Sequence, residues 1–169
     1  MYALRLEDAL DQQIYDEGIA LERRFFNHSN TDGLYFNTDN LTCPVITINK
    51  NITSTQETNY IKAHELGHHH NCTRNLFNAP AWIQKRYEML ADRDWVERIM
   101  SLDRLVEAYD HGNNTPMSLA DYLEIPLEAL VKGIDICYRK YGIVSTYDQH
   151  RIYWNPFNIR KDKRLRPLR

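Results

Sequence analysis

The segment His64-Glu65-Leu66-Gly67-His68 constrains the chemistry of this chain more than any other feature of its 169 residues. On an α-helix, residues four positions apart differ by about 40° in direction and ~6 Å in height, so both imidazoles leave one face and can bind the same ion. Neutral imidazole is a good zinc ligand, and a catalytic zinc usually keeps three protein ligands and one position open to water. We therefore expect one catalytic zinc ion, held in part by His64 and His68.

Glu65 is predicted to be the general base of the site. It lies about 100° around the helix from His64, so its carboxylate is beside the metal rather than on it. Zinc lowers the pKa of bound water from 15.7 to about 7, and a neighbouring carboxylate can take the proton as hydroxide attacks a carbonyl. The alternative is a chance surface pattern, and the helix predicted around the motif favours the metal site.

Three further residues of this helix carry weaker signals. Glycine inside a helix costs about 1 kcal/mol relative to alanine, so Gly67 suggests that another backbone packs closely there. His69 and His70 point about 140° and 240° away from His64, so neither shares its face. His69 follows Glu65 by four residues and could tune that carboxylate, whereas the alternative for both histidines is a solvated helix end.

The third metal ligand is expected on a second helix, over about residues 81–100. One stripe of this helix, at helical spacing, consists of Glu88, Ala91, Asp92, Trp95 and Ile99. Acids on an apolar stripe are costly to bury unless they find a cation. We predict that Glu88 binds zinc and that Asp92 accepts the free ring N–H of a zinc-bound histidine. Alternatively, both acids are solvated and pair with Lys85 or Arg93.

Apolar periodicity predicts the elements on either side of the motif. We expect a helix over about residues 5–26, strands at 34–36 and 45–48, and a motif helix over about 55–70 that begins at a Ser54–Glu57 capping box. The second strand, extended to Asn49, could bind substrate as an added strand.

The C-terminal half is predicted to be mainly helical. Short helices are expected at 102–109 and, capped by Ser118, at 119–124. A longer helix, closed by Gly142, carries an apolar stripe of Leu127, Leu130, Val131, Ile134 and Tyr138. A last strand is expected within 144–157, and the basic residues 158–169 are predicted to form a mobile, dispensable tail. This gives a zinc-binding core over 1–100, a helical segment over 101–142 and an extension over 143–169.

Composition excludes several classes of protein. A formal net charge of −2 gives no global reason to expect nucleic acid or an anionic membrane as partner. The longest apolar runs are too short to span a bilayer, and the N-terminal segment has no signal-peptide layout. Cys43, Cys72 and Cys137 are widely spaced and odd in number, which favours free thiols in a reducing compartment. We therefore expect a cytoplasmic protein.

Several motifs together resemble one known family. They are Ile46-Thr-Ile-Asn49, Ile61-Lys-Ala-His-Glu-Leu-Gly-His68, Glu88-Met-Leu-Ala-Asp-Arg-Asp-Trp95, Ser118-Leu-Ala-Asp-Tyr-Leu-Glu-Ile-Pro126 and Tyr141-Gly142. In this order and spacing, residues from about 33 to 142 resemble the ImmA/IrrE family of metallo-endopeptidases, especially its compact phage and prophage members.

The resemblance implies an α+β fold with a mainly helical, zincin-like core of gluzincin type, a small antiparallel sheet and a C-terminal helical segment. It implies zinc held by His64, His68 and Glu88, with Glu65 as the base. It also implies that the protein cleaves a helix-turn-helix repressor of a phage or mobile element. The chain departs from the family in its basic extension after Gly142. It also lacks a fused DNA-binding or sensor domain, so we expect sensing to come from a partner.

Two other functions stay open at this point. A metal-stabilised adaptor could sequester the repressor without cutting it, because the same ligands would hold a structural zinc. A DNA-binding regulator could use residues 118–138 as a helix-turn-helix and the basic tail as a clamp, although few basic side chains lie on its second helix. The residue that would stabilise an oxyanion is also open among Tyr60, Tyr87, His69, His70 and His111.

Overall fold

The computed structural model describes residues 5–26, 31–38, 40–72 and 79–165. These residues form six helices and six strands, which confirms the predicted α+β fold with a mainly helical core. The chain divides into two compact units, residues 1–95 and 96–169, and the division falls within one helix. No helix among the described residues is long and apolar enough to cross a membrane.

The first unit packs helices against a small sheet. Its elements are α1 (Leu6–Asp16), β1 (Ala20–Arg24), β2 (Gly33–Phe36), β3 (Val45–Asn49), α2 (Thr55–Asn71) and the main part of α3 (Ala81–Ile99). The sheet has the order β1-β3-β2, in which β1 runs parallel and β2 antiparallel to β3. Because β3 is paired on both sides, the prediction that it binds substrate as an added strand is wrong. Among the described residues, no strand pairs with the other side of β2.

The first helix is shorter than predicted. The predicted helix included Leu21 and Phe25, which are four positions apart. Residues at that spacing share one face of a helix, but they also share one face of a strand. Gly18 adopts a positive φ of 69° just after α1 ends, and the chain turns there into β1. Leu21 then pairs with Ile46 of β3. Pairing with β3, which no local pattern reveals, therefore decides the structure of this segment.

Helix α2 begins where the sequence predicts. The Ser54 side chain accepts a hydrogen bond from the backbone N–H of Glu57 at 3.3 Å and caps the first turn. Nearly every residue from Thr58 to His68 is buried, so α2 is the central helix of this unit. Even Lys62 is buried, and its ammonium pairs with Asp11 of α1 at 2.5 Å.

Gly67 lies where α2 touches α3. A Cβ at this position would come within 2.7 Å of the carbonyl oxygen and 2.8 Å of the Cα of Ala91. The expectation that another backbone packs against Gly67 is therefore confirmed. The two main chains can approach this closely only because residue 67 has no side chain.

The second unit consists of helices followed by a sheet. Its elements after the end of α3 are α4 (Leu102–Asp110), α5 (Pro116–Tyr122), α6 (Leu127–Tyr141), β4 (Val144–Tyr147), β5 (His150–Trp154) and β6 (Phe157–Lys161). Thr115 caps α5 and Ser118 is its third residue, so the prediction of Ser118 as the cap is wrong. The two side chains form a reciprocal capping box instead. Gly142 ends α6 with φ 77°, as expected.

Residues 158–165 do not form a tail. Strand β6 pairs antiparallel with β5, which is also paired with β4, and Ile159 lies opposite Ile152. Asp162 accepts hydrogen bonds from Arg151 at 2.8 Å and from Arg164 at 3.0 Å. The prediction of a tail was wrong because it relied on the number of basic residues alone. Ile159 is buried between exposed neighbours, and this alternation is typical of a strand with one solvent-exposed face. Residues 166–169 lie outside the described residues.

Strand β6 should therefore contribute to stability. We expect Ile159→Ala to lower the free energy of unfolding by about 2–5 kcal/mol, because it removes a side chain that is 6% exposed and packs across the strands. Asn158→Ala, on the exposed side of the same strand, should change it by less than about 0.5 kcal/mol. Urea unfolding followed by circular dichroism measures both. Equal small effects would restore the tail interpretation.

Candidate metal centre

Helix α2 presents His64 and His68 from one face, as their spacing predicts. Their rings lie 4.8 Å apart at an interplanar angle of 88°. The Nε2 atoms of both rings face the carboxylate of Glu88 on α3, each at 3.3 Å and each opposite a different oxygen. The structure thus brings together the three predicted ligands.

The donor set fits zinc. The ligand atoms of His64, His68 and Glu88 all lie within 4.8 Å of one another, and no other group of three or more potential ligands does so among the described residues. Two imidazole nitrogens and one carboxylate leave a fourth tetrahedral position for water or substrate. The Glu88 side chain is 57% exposed, whereas those of His64 and His68 are 16% and 10% exposed, so the site opens on the Glu88 side.

The charges around the two imidazoles favour a cation. Burial alone would lower the pKa of His64, but hydrogen bonds with Asp92 and Glu88 outweigh it and raise that pKa to about 9. Hydrogen bonds with His64 and His68 hold the pKa of Glu88 well below its usual range. Carboxylates therefore surround a half-buried pair of nitrogen donors, and a divalent cation can take the place of a proton between them.

Asp92 lies where the sequence predicts. Its Oδ1 atom faces Nδ1 of His64 at 3.3 Å and also accepts the indole N–H of Trp95 at 3.2 Å. Trp95 is fully buried, so it holds the carboxylate in place. A partner on Nδ1 fixes the tautomer that leaves the Nε2 lone pair free for a metal.

Glu65 is buried beside the ligands and is not one of them. It is 6% exposed, and burial raises its pKa, while the His64 and His68 imidazoles and a hydrogen bond from the backbone N–H of Tyr35 oppose that rise. A carboxylate whose pKa is raised is a stronger base toward water than an ordinary carboxylate. The predicted base therefore lies in an environment that suits its role.

Two residues of β2 were not predicted as part of the site. Besides the Tyr35 amide, Gly33 contacts Glu65: a Cβ on Gly33 would lie 3.0 Å from Oε1 of Glu65 and would overlap Cγ2 of Ile61. The predicted strand began one residue after Gly33, at residue 34. The one signal of Gly33 was a glycine at the start of a strand, which marks either a turn or a close approach.

His69 and His70 pair with neighbouring segments, and His70 is also exposed to solvent. Nδ1 of His69 hydrogen-bonds the Tyr35 hydroxyl at 2.9 Å, and its Nε2 lies 3.6 Å from Oε2 of Glu17. His70 bridges Glu17 at 2.9 Å and Asp94 at 3.2 Å. Both histidines therefore tie the end of α2 to neighbouring segments. No contact places His69 on Glu65, so its tuning role stays a prediction.

The candidates for an oxyanion-stabilising residue fall into different places. Tyr60 lies close to the ligands, with its ring 6.2 Å from that of His64 and edge-on to Trp95 at 5.2 Å. Tyr87 precedes Glu88 on α3. His111 belongs to the second unit, where it bonds the Glu107 carbonyl at 2.8 Å and stacks on Tyr122. Tyr60 is thus the candidate whose ring lies against that of a predicted ligand.

No family profile, curated protein or solved structure matches the chain. The resemblance to the ImmA/IrrE family therefore stays a prediction, and the geometry of the site carries the functional argument.

Proposed function

We propose that this protein is a zinc-dependent metallo-endopeptidase. The observation that carries the proposal is the convergence of His64, His68 and Glu88, whose nitrogen and oxygen atoms meet at 3.3 Å with Glu65 buried alongside. A structural zinc needs four protein ligands and no base. Three ligands, an open side and a buried carboxylate beside them are the arrangement of a hydrolytic centre.

Each residue has a distinct part in the proposed reaction. A zinc ion bound by the three ligands supplies Lewis acidity toward a carbonyl oxygen and toward water. Asp92 holds His64 so that its Nε2 atom faces the ion. Glu65 takes the proton of the attacking water and later delivers it to the leaving nitrogen of the peptide. The Tyr35 amide keeps the Glu65 carboxylate in place during both transfers.

The edge of β2 that faces away from β3 is the proposed binding surface for the substrate backbone. The Tyr35 amide points away from β3 to Glu65, so this edge runs past the proposed base. An extended peptide that paired with β2 would pass its backbone carbonyls close to Glu65 and the ligands. A substrate segment must be unfolded or exposed to pair in this way, which favours a linker in a protein over a folded helix.

The proposed substrate is a helix-turn-helix repressor, a choice that rests on the resemblance alone. An adaptor that only binds the repressor would leave Glu65 without a purpose. The DNA-binding alternative has less support, because the exposed side of α6 carries the apolar Leu127, Val131 and Tyr138, and its Arg139 already pairs with Asp135.

Two incubations of the zinc-loaded protein test the proposal. The first uses a peptide library digested from a whole proteome, and mass spectrometry should reveal new termini with a shared sequence preference. The second uses the helix-turn-helix protein encoded nearest to this chain, which should yield two discrete fragments. New termini from neither incubation, with tight binding of the repressor, would favour the adaptor. New termini from the peptide library alone would support peptidase activity but would reject the repressor as the substrate.

A further inference from the structure

Helix α6 buries its small residues and exposes its large ones. Its buried side consists of Ala129, Leu130, Gly133 and Cys137. By contrast, Leu127, Val131 and Tyr138 are 36%, 57% and 37% exposed. The apolar stripe predicted for this helix is therefore wider than the face that the fold covers, and only Leu130 of its large members is fully buried.

The exposed apolar side chains form one continuous ridge. Residues 127, 131 and 138 recur at helical spacing, about 125° away from the centre of the buried face. The ridge continues beyond the helix with Ile143 and Val144, which are 65% and 41% exposed and lead into the edge strand β4. We call Leu127, Val131, Tyr138, Ile143 and Val144 the α6 ridge.

One flank of the α6 ridge is charged in a regular order. Along α6, Glu128, Lys132, Asp135 and Arg139 follow one another within about 60° of helix surface. Acids and bases alternate there, with one pair formed within the helix between Arg139 and Asp135. The order matters because a partner helix must present its own charges at matching heights.

A second copy of α6 satisfies that order in one orientation only. When the two helices run antiparallel about a two-fold axis midway between Gly133 and Ile134, Glu128 is level with Arg139 of the second copy, and Asp135 is level with Lys132 of the second copy. Residues on one flank meet the same flank of the partner in this arrangement, as in antiparallel coiled coils. In a parallel pair this flank would instead meet the opposite flank of the partner, and neither of these charge pairs would form.

We propose that the α6 ridge is a homodimer interface in which two copies of α6 pack antiparallel. The two-fold axis makes the surface self-complementary, both in its apolar residues and in its charges. One pair of four-turn helices with the adjoining Ile143 and Val144 covers less than a standard interface of about 1,200–2,000 Å². The dimer therefore forms reversibly, with a dissociation constant in the micromolar range.

Analytical ultracentrifugation of the full chain over a wide concentration range tests the interface. Wild type should shift from monomer to dimer, and Val131→Glu should weaken the association at least ~10-fold, because it places a carboxylate in an apolar contact. Tyr15→Glu is the control, since Tyr15 is 79% exposed on α1 and lies outside the ridge. It should leave the association unchanged.

A charge exchange tests the antiparallel register. Glu128→Arg and Arg139→Glu should each weaken self-association, because each sets like charges at the same height. An equimolar mixture of the two variants should restore the dimer, since each unlike pair forms again across the interface. Circular dichroism confirms that both variants keep their helices. A wild type that stays monomeric up to several hundred micromolar overturns the proposal, as does a mixture that associates no better than its components.

Discussion

Replacing Glu65 with glutamine will lower the rate of peptide cleavage by at least ~10²–10⁴-fold while zinc content and melting temperature stay close to those of wild type. Glu65 is buried beside the ligands, and its carboxylate accepts a hydrogen bond from the backbone N–H of Tyr35. The amide of glutamine has nearly the same shape and can keep that hydrogen bond through its oxygen. It cannot take a proton from water, so only the chemical step is lost. Cleavage of the best library peptide, followed by mass spectrometry, measures the rate.

Glu57→Gln is the matched control for this variant. Glu57 lies on the same helix, at its exposed start, where it takes no part in the site. It should cleave at the wild-type rate. If Glu65→Gln also kept that rate, Glu65 would not be the base. If neither wild type nor Glu65→Gln produced fragments while both blocked the repressor equally, the protein would act by sequestration.

Gly67→Ala will impair both folding and metal binding, although alanine is the better helix former by about 1 kcal/mol. Its Cβ would lie 2.7 Å from the Ala91 carbonyl oxygen, and main chain cannot rotate away. Helices α2 and α3 must therefore separate. Glu88 is one turn before Ala91, so its oxygens would leave the 3.3 Å contacts with the histidines. We expect the free energy of unfolding to fall by about 1–3 kcal/mol and zinc affinity to fall at least ~10-fold.

The double variant Gly67→Ala/Ala91→Gly distinguishes this cause from simple crowding of side chains. Removing the methyl group of Ala91 does not relieve a contact with its carbonyl oxygen and Cα, so the double variant should remain as impaired as Gly67→Ala. Urea unfolding and competition with a fluorescent zinc chelator measure the two quantities. Wild-type behaviour of the single variant, or recovery in the double variant, would show that main-chain contact between α2 and α3 does not set the ligand geometry.

The ligands were predictable because each depends on the spacing within one helix. His64, His68 and Glu65 follow from positions one and four residues apart. Glu88 and Asp92 stood out as acids on an apolar stripe, and the contact at 3.3 Å between Asp92 and His64 matches the predicted role. The close packing at Gly67 was predictable because a glycine destabilises a helix and is therefore expected where another backbone approaches. The backbone of Ala91 lies at that position.

The remaining parts of the site depend on contacts between distant segments. Gly33 and Tyr35 reach Glu65 only because β2 lies along α2, and no local pattern fixes that packing. Likewise, His69 and His70 contact the carboxylate of Glu17, which directly follows α1 in the chain. The basic strand β6 was mistaken for a tail because charge density masked the alternation around Ile159.

The proposed peptidase activity depends on zinc held by His64, His68 and Glu88, and elemental analysis of the purified protein tests that dependence most directly. Wild type should contain about one zinc ion per chain, because the ligands form the one such group among the described residues. His64→Ala should contain almost none, and Glu88→Ala should lose most of it, while both keep the helical circular dichroism of wild type. Zinc that persists at one equivalent in His64→Ala would contradict the metal centre, and with it the peptidase.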